Sequence, residues 1–319
     1  MRRRPVVRVL RGAVLRTVAA CAATASVAVV ALASADPAHA YRPRPQVVFQ
    51  SEKPETYVSG CHVPAPVKVP KTCVSGDPRG AISVLLVGDS HAAQLQPALA
   101  AYGARHGMRI TNLTKSSCPA ADVPVGVWPT SRAYRECRAW QSHVLSGLQS
   151  GAYGRFDVAV VSQYSGHVLL DPRGRRLAGA ARKAAWQSGT KRLLGAVDAS
   201  AEAIVVVRDS PELKATTFTC LIAAWPKAGC ATPASQALRP GMWRAEIAAA
   251  GAVRGTTTLD LSTPYCAARR CRPVSGAYLA FRDRSHWTRT YSARVLSNDL
   301  GPAVLARAPK PPKIAGVSK

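Results

Sequence analysis

The run Ile82-Ser83-Val84-Leu85-Leu86-Val87-Gly88-Asp89-Ser90-His91-Ala92-Ala93-Gln94 constrains the fold more than any other part of the chain. A short apolar segment ends abruptly at Gly-Asp-Ser-His, and Leu95, Leu99 and Tyr102 then follow at helical spacing. This reads as a buried strand, a tight turn and the first turns of a helix. In open α/β sheets such a junction presents a side chain at the carboxyl end of a strand, where ligands bind. The hydroxyl placed there is Ser90. A serine beside a helix-start N–H has the makings of a nucleophile and half of an oxyanion hole. The competing role is a helix N-cap, the commoner duty of a serine at such a turn. Its partners decide between the two.

Further strands are expected at 108–113, 156–161, 203–207 and 255–261, with the first at 82–87. Helices are expected at 94–106, 131–148, 182–200 (with a break at Gly189) and from Pro240, which suits a first helical turn, to Ala250. Strands alternating with helices argue for an α/β fold whose parallel sheet is covered on both faces. No internal repeat is visible.

Arg2, Arg3, Arg4, Arg8, Arg11 and Arg16, an apolar run from Val18 to Ala35, and Ala38-His39-Ala40 make residues 1–40 a targeting segment. It reads as a cleaved signal peptide, with an uncleaved N-terminal membrane anchor as the alternative. Residues 41–60 are polar and contain proline, as a linker would; 61–308 form one domain, and 309–319 a disordered basic tail. Beyond Cys21, eight cysteines remain, an even number that suits disulfides in an exported chain. Local spacing favours Cys61–Cys73, Cys118–Cys137, Cys220–Cys230 and Cys266–Cys271. No cysteine or histidine spacing suits a zinc site. Lys and Arg number 43 against 17 Asp and Glu, a net charge of +26. That balance suits an acidic polymer or an anionic membrane, or reflects compositional bias. No zinc-finger spacing, glycine-rich RNA signature or basic helix interleaved with aromatics points to nucleic acid.

The far end of the chain supplies partners for Ser90. Asp283-Arg284-Ser285-His286 places an acid and a base three residues apart, so that His286 can take a proton and Asp283 can orient it. Of the other histidines, His91 adjoins Ser90 in a structural role, and His167 follows the third strand and could line the cleft. Asp89 suits pinning the turn through backbone hydrogen bonds, and Asp209 suits shaping a loop.

At these residues the sequence resembles the SGNH (GDSL-like) hydrolase superfamily. The likeness extends to SGNH domains found alone or fused to membrane acyltransferases that O-acylate bacterial surface polysaccharides. It is carried by Gly88-Asp89-Ser90-His91-Ala92, Thr114-Lys115-Ser116-Ser117-Cys118-Pro119, Arg208-Asp209-Ser210-Pro211, Cys266 with Cys271, and Asp283-x-x-His286. The resemblance implies a three-layer α/β/α sandwich, flavodoxin-like, on a five-stranded, mainly parallel sheet. It implies Ser90 as nucleophile, His286 as base and Asp283 as orienting acid, a duty that a backbone carbonyl can share. Oxyanion donors would be the N–H of Ser90 and, where relatives often carry glycine, the backbone of Ser117. After the third strand, where an asparagine is common, this chain has Ser162-Gln163-Tyr164, leaving the Gln163 amide as a substitute donor.

The expected function is therefore an exported serine esterase or O-acyltransferase, secreted or tethered outside the cytoplasm. It would remove or transfer acyl groups, acetyl foremost, on cell-envelope carbohydrate. The expected partners are an acylated carbohydrate or cell-envelope glycan and, for transfer, a separate membrane acyl-donor protein. No cofactor or metal is called for. The rival reading is a non-catalytic module that holds anionic wall glycans through its basic surface.

Overall fold

The computed structural model describes residues 51–127, 129–224 and 229–309. The leader, Cys21 and the tail from 310 onward lie outside the described residues. Among the described residues no helix is long and apolar enough to cross a membrane.

In chain order, strands β1 (His62–Val63) and β2 (Cys73–Gly76) precede β3 (Ile82–Gly88). Helices α1 (Ser90–Ala93) and α2 (Gln96–His106) lead to β4 (Met108–Lys115). Helix α3 (Arg135–Gln149) precedes β5 (Phe156–Ser162), and α4 (Gly179–Asp198) precedes β6 (Ala201–Val207). Helices α5 (Ala215–Ala224) and α6 (Pro240–Ala250) precede β7 (Thr256–Leu259), and α7 (Ser297–Leu305) closes the domain. Helix α4 runs unbroken through Gly189, which faces Asp122 and Val123 so closely that a Cβ would not fit.

The sheet has the order β1-β4-β3-β5-β6-β7, and β2 also pairs with β4. It has seven strands, where five were expected. The five expected strands are all present and mutually parallel. The additional two share the outer edge of β4: β1 runs parallel to Thr114–Lys115, and β2 antiparallel to Arg109–Asn112. β1 lies inside the loop closed by Cys61–Cys73, β2 begins at its second cysteine, and both are too short to show a periodic pattern.

Strands β3, β5 and β6 are apolar without alternation because both faces of the sheet are covered. Leu85, Val87, Ala159, Val161, Ile204 and Val206 pack under α3, α4 and α6, including Trp140 and Trp186. Val84, Leu86, Val158, Val160, Val205 and Val207 pack on the opposite side with Leu99, Trp287, Tyr291 and Leu300. Full burial of a side chain of this size contributes roughly 1.5–3 kcal/mol. The direction of strand addition reverses at β3: β4 is added on one side, and β5, β6 and β7 on the other. That reversal opens a crevice at the carboxyl end of β3, where Ser90 begins α1.

Gly88 makes the turn possible. Its φ is +151°, and a Cβ there would sit 1.8 Å from the carbonyl oxygen of Ser162 on β5. The two strand ends approach too closely for any side chain. Gly88→Ala is expected to destabilise the protein by more than about 4 kcal/mol or to prevent folding, read from the denaturant midpoint. A loss below about 1 kcal/mol would show that this junction relaxes freely.

The stretch expected to be a linker is, from residue 51, built into the domain. Glu55–Val58 is a turn of helix, and Glu52 is buried. The Glu52 carboxylate accepts hydrogen bonds from the Thr290 N–H and hydroxyl at 2.9 and 3.0 Å, tying the segment to residues that follow His286.

Candidate active site

Ser90 is the first residue of α1, and the N-cap role falls to its neighbour. The Asp89 carboxylate accepts the His91 N–H at 2.8 Å, so the Ser90 hydroxyl is free of capping duty. It points at His286, with Ser90 Oγ 2.9 Å from His286 Nε2. His286 Nδ1 lies 2.9 Å from each Asp283 carboxylate oxygen. Asp283 Oδ1 also accepts the N–H groups of Ser285 and His286, at 2.9 and 2.8 Å, which closes a tight turn around the carboxylate. Serine, histidine and aspartate, drawn from positions nearly 200 residues apart, form one hydrogen-bonded relay.

Second contacts fix each member. Asp89 Oδ2 accepts the Tyr164 N–H at 2.9 Å and pairs with His167 Nε2 at 2.7 Å, holding the turn under Ser90 to the loop after β5. His91 is buried, with Nδ1 2.6 Å from Asp209 Oδ1. Asp209 also takes the N–H and hydroxyl of Ser165. The Ser210 hydroxyl donates to the Ser285 carbonyl at 2.6 Å, and Gln94 Oε1 accepts the Trp287 N–H at 2.7 Å. The residues on either side of His286 are thereby anchored to α1 and to the β6 loop. Gln94 ends the run that begins at Ile82, yet nothing in the sequence marks its long-range partner.

Burial opposes a charge on Asp283, but the hydrogen bond and field of His286, with Arg282, outweigh it and hold the carboxyl below its usual range. Burial also pulls His286 below an ordinary imidazole; Asp283 works against this, and His91 reinforces it. For His91 burial opposes the charge as well, but Asp209 outweighs it and raises the ring. The His91 and His286 rings lie 4.6 Å apart, so positive charge on the first disfavours protonation of the second. His286 is thus kept in the neutral form a base requires. A base with a lowered value loses activity only as pH falls through that value. The acid limb of kcat/KM is expected below pH 6.5, with a plateau above it; a limb centred above that point would contradict this electrostatic account.

The loop after β4 brings Ser117 to the same cavity. Ser117 is exposed and has a φ of 54°, a left-handed conformation uncommon for a residue with a side chain. Its N–H has no backbone partner among the described residues. The loop is held from both sides. Lys115 is buried, and its ammonium donates to the carbonyls of Pro64, Ala65 and Val67 at 2.9, 2.7 and 2.5 Å. The Cys118–Cys137 disulfide ties the other side to α3. Gln163 is placed elsewhere. Its Oε1 accepts the Ala121 N–H at 3.1 Å, and its Nε2 lies 3.3 Å from the Thr190 hydroxyl. Both ends of its amide serve the core, so the structure does not bring that amide to Ser90. His167, four residues on, lines the cavity instead.

That cavity measures about 280 Å³ and is lined by Ser90, Ser117, Tyr164, His167, Glu212 and His286 among others. Glu212 is gripped by Arg239, accepts the Tyr164 hydroxyl at 2.7 Å and faces Arg284 at 3.2 Å. The remaining described histidines are remote in role: His62 is buried on the Thr114 hydroxyl, His106 stacks on Tyr102, and His143 is exposed. The eight described cysteines form Cys61–Cys73, Cys118–Cys137, Cys220–Cys230 and Cys266–Cys271.

Residues 60–298 match a family model described as an SGNH domain (fused to AT3 domains). No curated protein matches the chain. Among solved structures, the periplasmic domain of a lipopolysaccharide acetyltransferase from Salmonella ser. Paratyphi A aligns at 15% identity. That alignment covers 71% of this chain and 85% of the other, with a TM-score of 0.47. A second solved chain aligns at 13% identity over 73% of this chain and 100% of its own length, with a TM-score of 0.42.

Proposed function

Because the chain belongs to the SGNH domain family, we propose that it is an exported serine esterase or O-acyltransferase acting on acyl groups of cell-envelope carbohydrate. The observation that most supports this reading is the Ser90–His286–Asp283 relay, with both of its hydrogen bonds at 2.9 Å. In this reading Ser90 Oγ attacks the ester carbonyl as His286 Nε2 takes its proton. The developing oxyanion is met by the N–H groups of Ser90 and Ser117. Collapse breaks the C–O bond to the alcohol, which leaves with the proton from His286, and an acyl-serine remains. Water or a sugar hydroxyl then attacks the acyl carbon while His286 removes its proton, and Ser90 departs with that proton restored. Water gives hydrolysis; a sugar hydroxyl gives transfer.

The family description couples such domains to AT3 domains, which favours an acyl donor delivered by a membrane partner when the reaction is transfer. Four disulfides favour an oxidising, extracytoplasmic location. The test is turnover of p-nitrophenyl acetate together with labelling by a serine-directed fluorophosphonate probe. Release of p-nitrophenol and a single label on Ser90 are expected. A folded, oxidised protein that neither turns over nor labels would favour the glycan-binding reading instead.

A further inference from the structure

The chemistry above leaves one histidine–carboxylate pair unused. His167 Nε2 lies 2.7 Å from Asp89 Oδ2, on the side of the cavity formed by the loop after β5. Asp89 is fully buried and also accepts two backbone N–H groups. Burial opposes its charge, but His167 and His91 outweigh it and hold the carboxyl below its usual range. A carboxylate only accepts hydrogen bonds, so the proton in this contact belongs to Nε2, and Nδ1 is the ring atom left to meet a ligand. Nδ1 has no hydrogen-bond partner among the described residues and is not sealed from solvent.

His167 and Ser117 form the wall shared by the catalytic cavity and a second cavity of about 460 Å³. That volume falls in the range of small-molecule sites, roughly 300–1,000 Å³. The second cavity combines Arg132, Glu136 and Tyr134 with the apolar surfaces of Pro66 and Val127. One donor group, one acceptor group and patches of C–H surface suit a polyhydroxylated ring better than an acyl chain alone.

We propose that this second cavity is a sugar subsite, in which His167 Nδ1 hydrogen-bonds a hydroxyl neighbouring the one that carries the acyl group. The proposal rests on the acyl-serine reading of Ser90. The acylated hydroxyl itself is served by His286, so His167 reads the sugar and leaves the reacting atoms to the relay.

The test acylates the full protein with p-nitrophenyl acetate and offers methyl glucopyranoside and 1-propanol at equal concentration. The wild type is expected to form more glycoside ester than propyl ester. His167→Gln keeps a donor for Asp89 near the Nε2 position and removes the ring atom Nδ1; it should lower the glycoside-to-propyl ratio about tenfold. Glu136→Gln changes the same cavity without touching Asp89 and should also lower the ratio. Equal capture of the two alcohols by the wild type, or an unchanged ratio in both variants, overturns the proposal. So does a His167→Gln variant whose p-nitrophenol release falls about 10²–10³-fold with the ratio preserved, because that is the signature of an oxyanion donor. Absence of release from the wild type defeats the acyl-serine reading itself; release without sugar preference defeats only the subsite.

Discussion

Ser90→Ala, His286→Ala and the double variant are expected to fall to one common floor, on the order of 10⁶ below the wild-type kcat. The shared floor matters more than its depth. The Ser90 hydroxyl is a poor nucleophile until His286 Nε2, 2.9 Å away, accepts its proton. Once either member is lost, the other has no proton to give or receive, and a second substitution removes nothing further. Residual turnover would come from binding and from the two proposed backbone donors, which neither substitution alters. Single-turnover rates with p-nitrophenyl acetate, beside thermal melts to establish folding, check this. Losses that multiply in the double variant would show that Ser90 and His286 do not act as a unit, and the relay would then be a structural contact only.

Asp283→Asn comes next in size, with kcat lowered about 10⁴-fold at neutral pH. The substitution is nearly isosteric. An Asn carbonyl oxygen in the place of Asp283 Oδ1 can still accept the Ser285 and His286 N–H groups, so the turn should survive. The amide then presents an N–H to His286 Nδ1, which must become an acceptor, and the ring proton moves to Nε2. Ser90 would face a donor where it needs an acceptor. Arg282, buried and 3.1 Å from Asp283, would also lose its carboxylate, so a stability cost should be measured alongside the rate. Full stability with activity within tenfold of wild type would mean that the backbone contacts of His286, and not the carboxylate, select its tautomer.

Much of this architecture is readable from the chain because buried parallel strands leave a strong trace. β3, β5 and β6 are continuous apolar runs, and each is followed by a stretch of helical spacing. β1 and β2 leave no such trace. Two to four residues in a proline-bearing loop have no measurable period, and their place depends on β4 and on the Cys61–Cys73 bond. The relay residues were legible because the chemistry demands particular residue types. What supports them was not: Gln94, Ser210 and Lys115 act through partners 48 or more residues away, and any polar residue reads alike in sequence. Gln163 shows the limit of reasoning by position. It stands where an amide donor was sought, but its backbone turns the side chain toward Ala121 and Thr190.

The Cys118–Cys137 bond gives the site a history as well as a shape. Cys118 directly follows Ser117, so the loop carrying the proposed second oxyanion donor acquires one of its two fixings only when those sulfurs are joined. A newly made, reduced chain would hold Ser90, His286 and Asp283 in sequence but would present a slack receptor for the oxyanion. Under the proposed export and serine chemistry, oxidation would then act as a maturation step that completes the receptor only in an oxidising compartment.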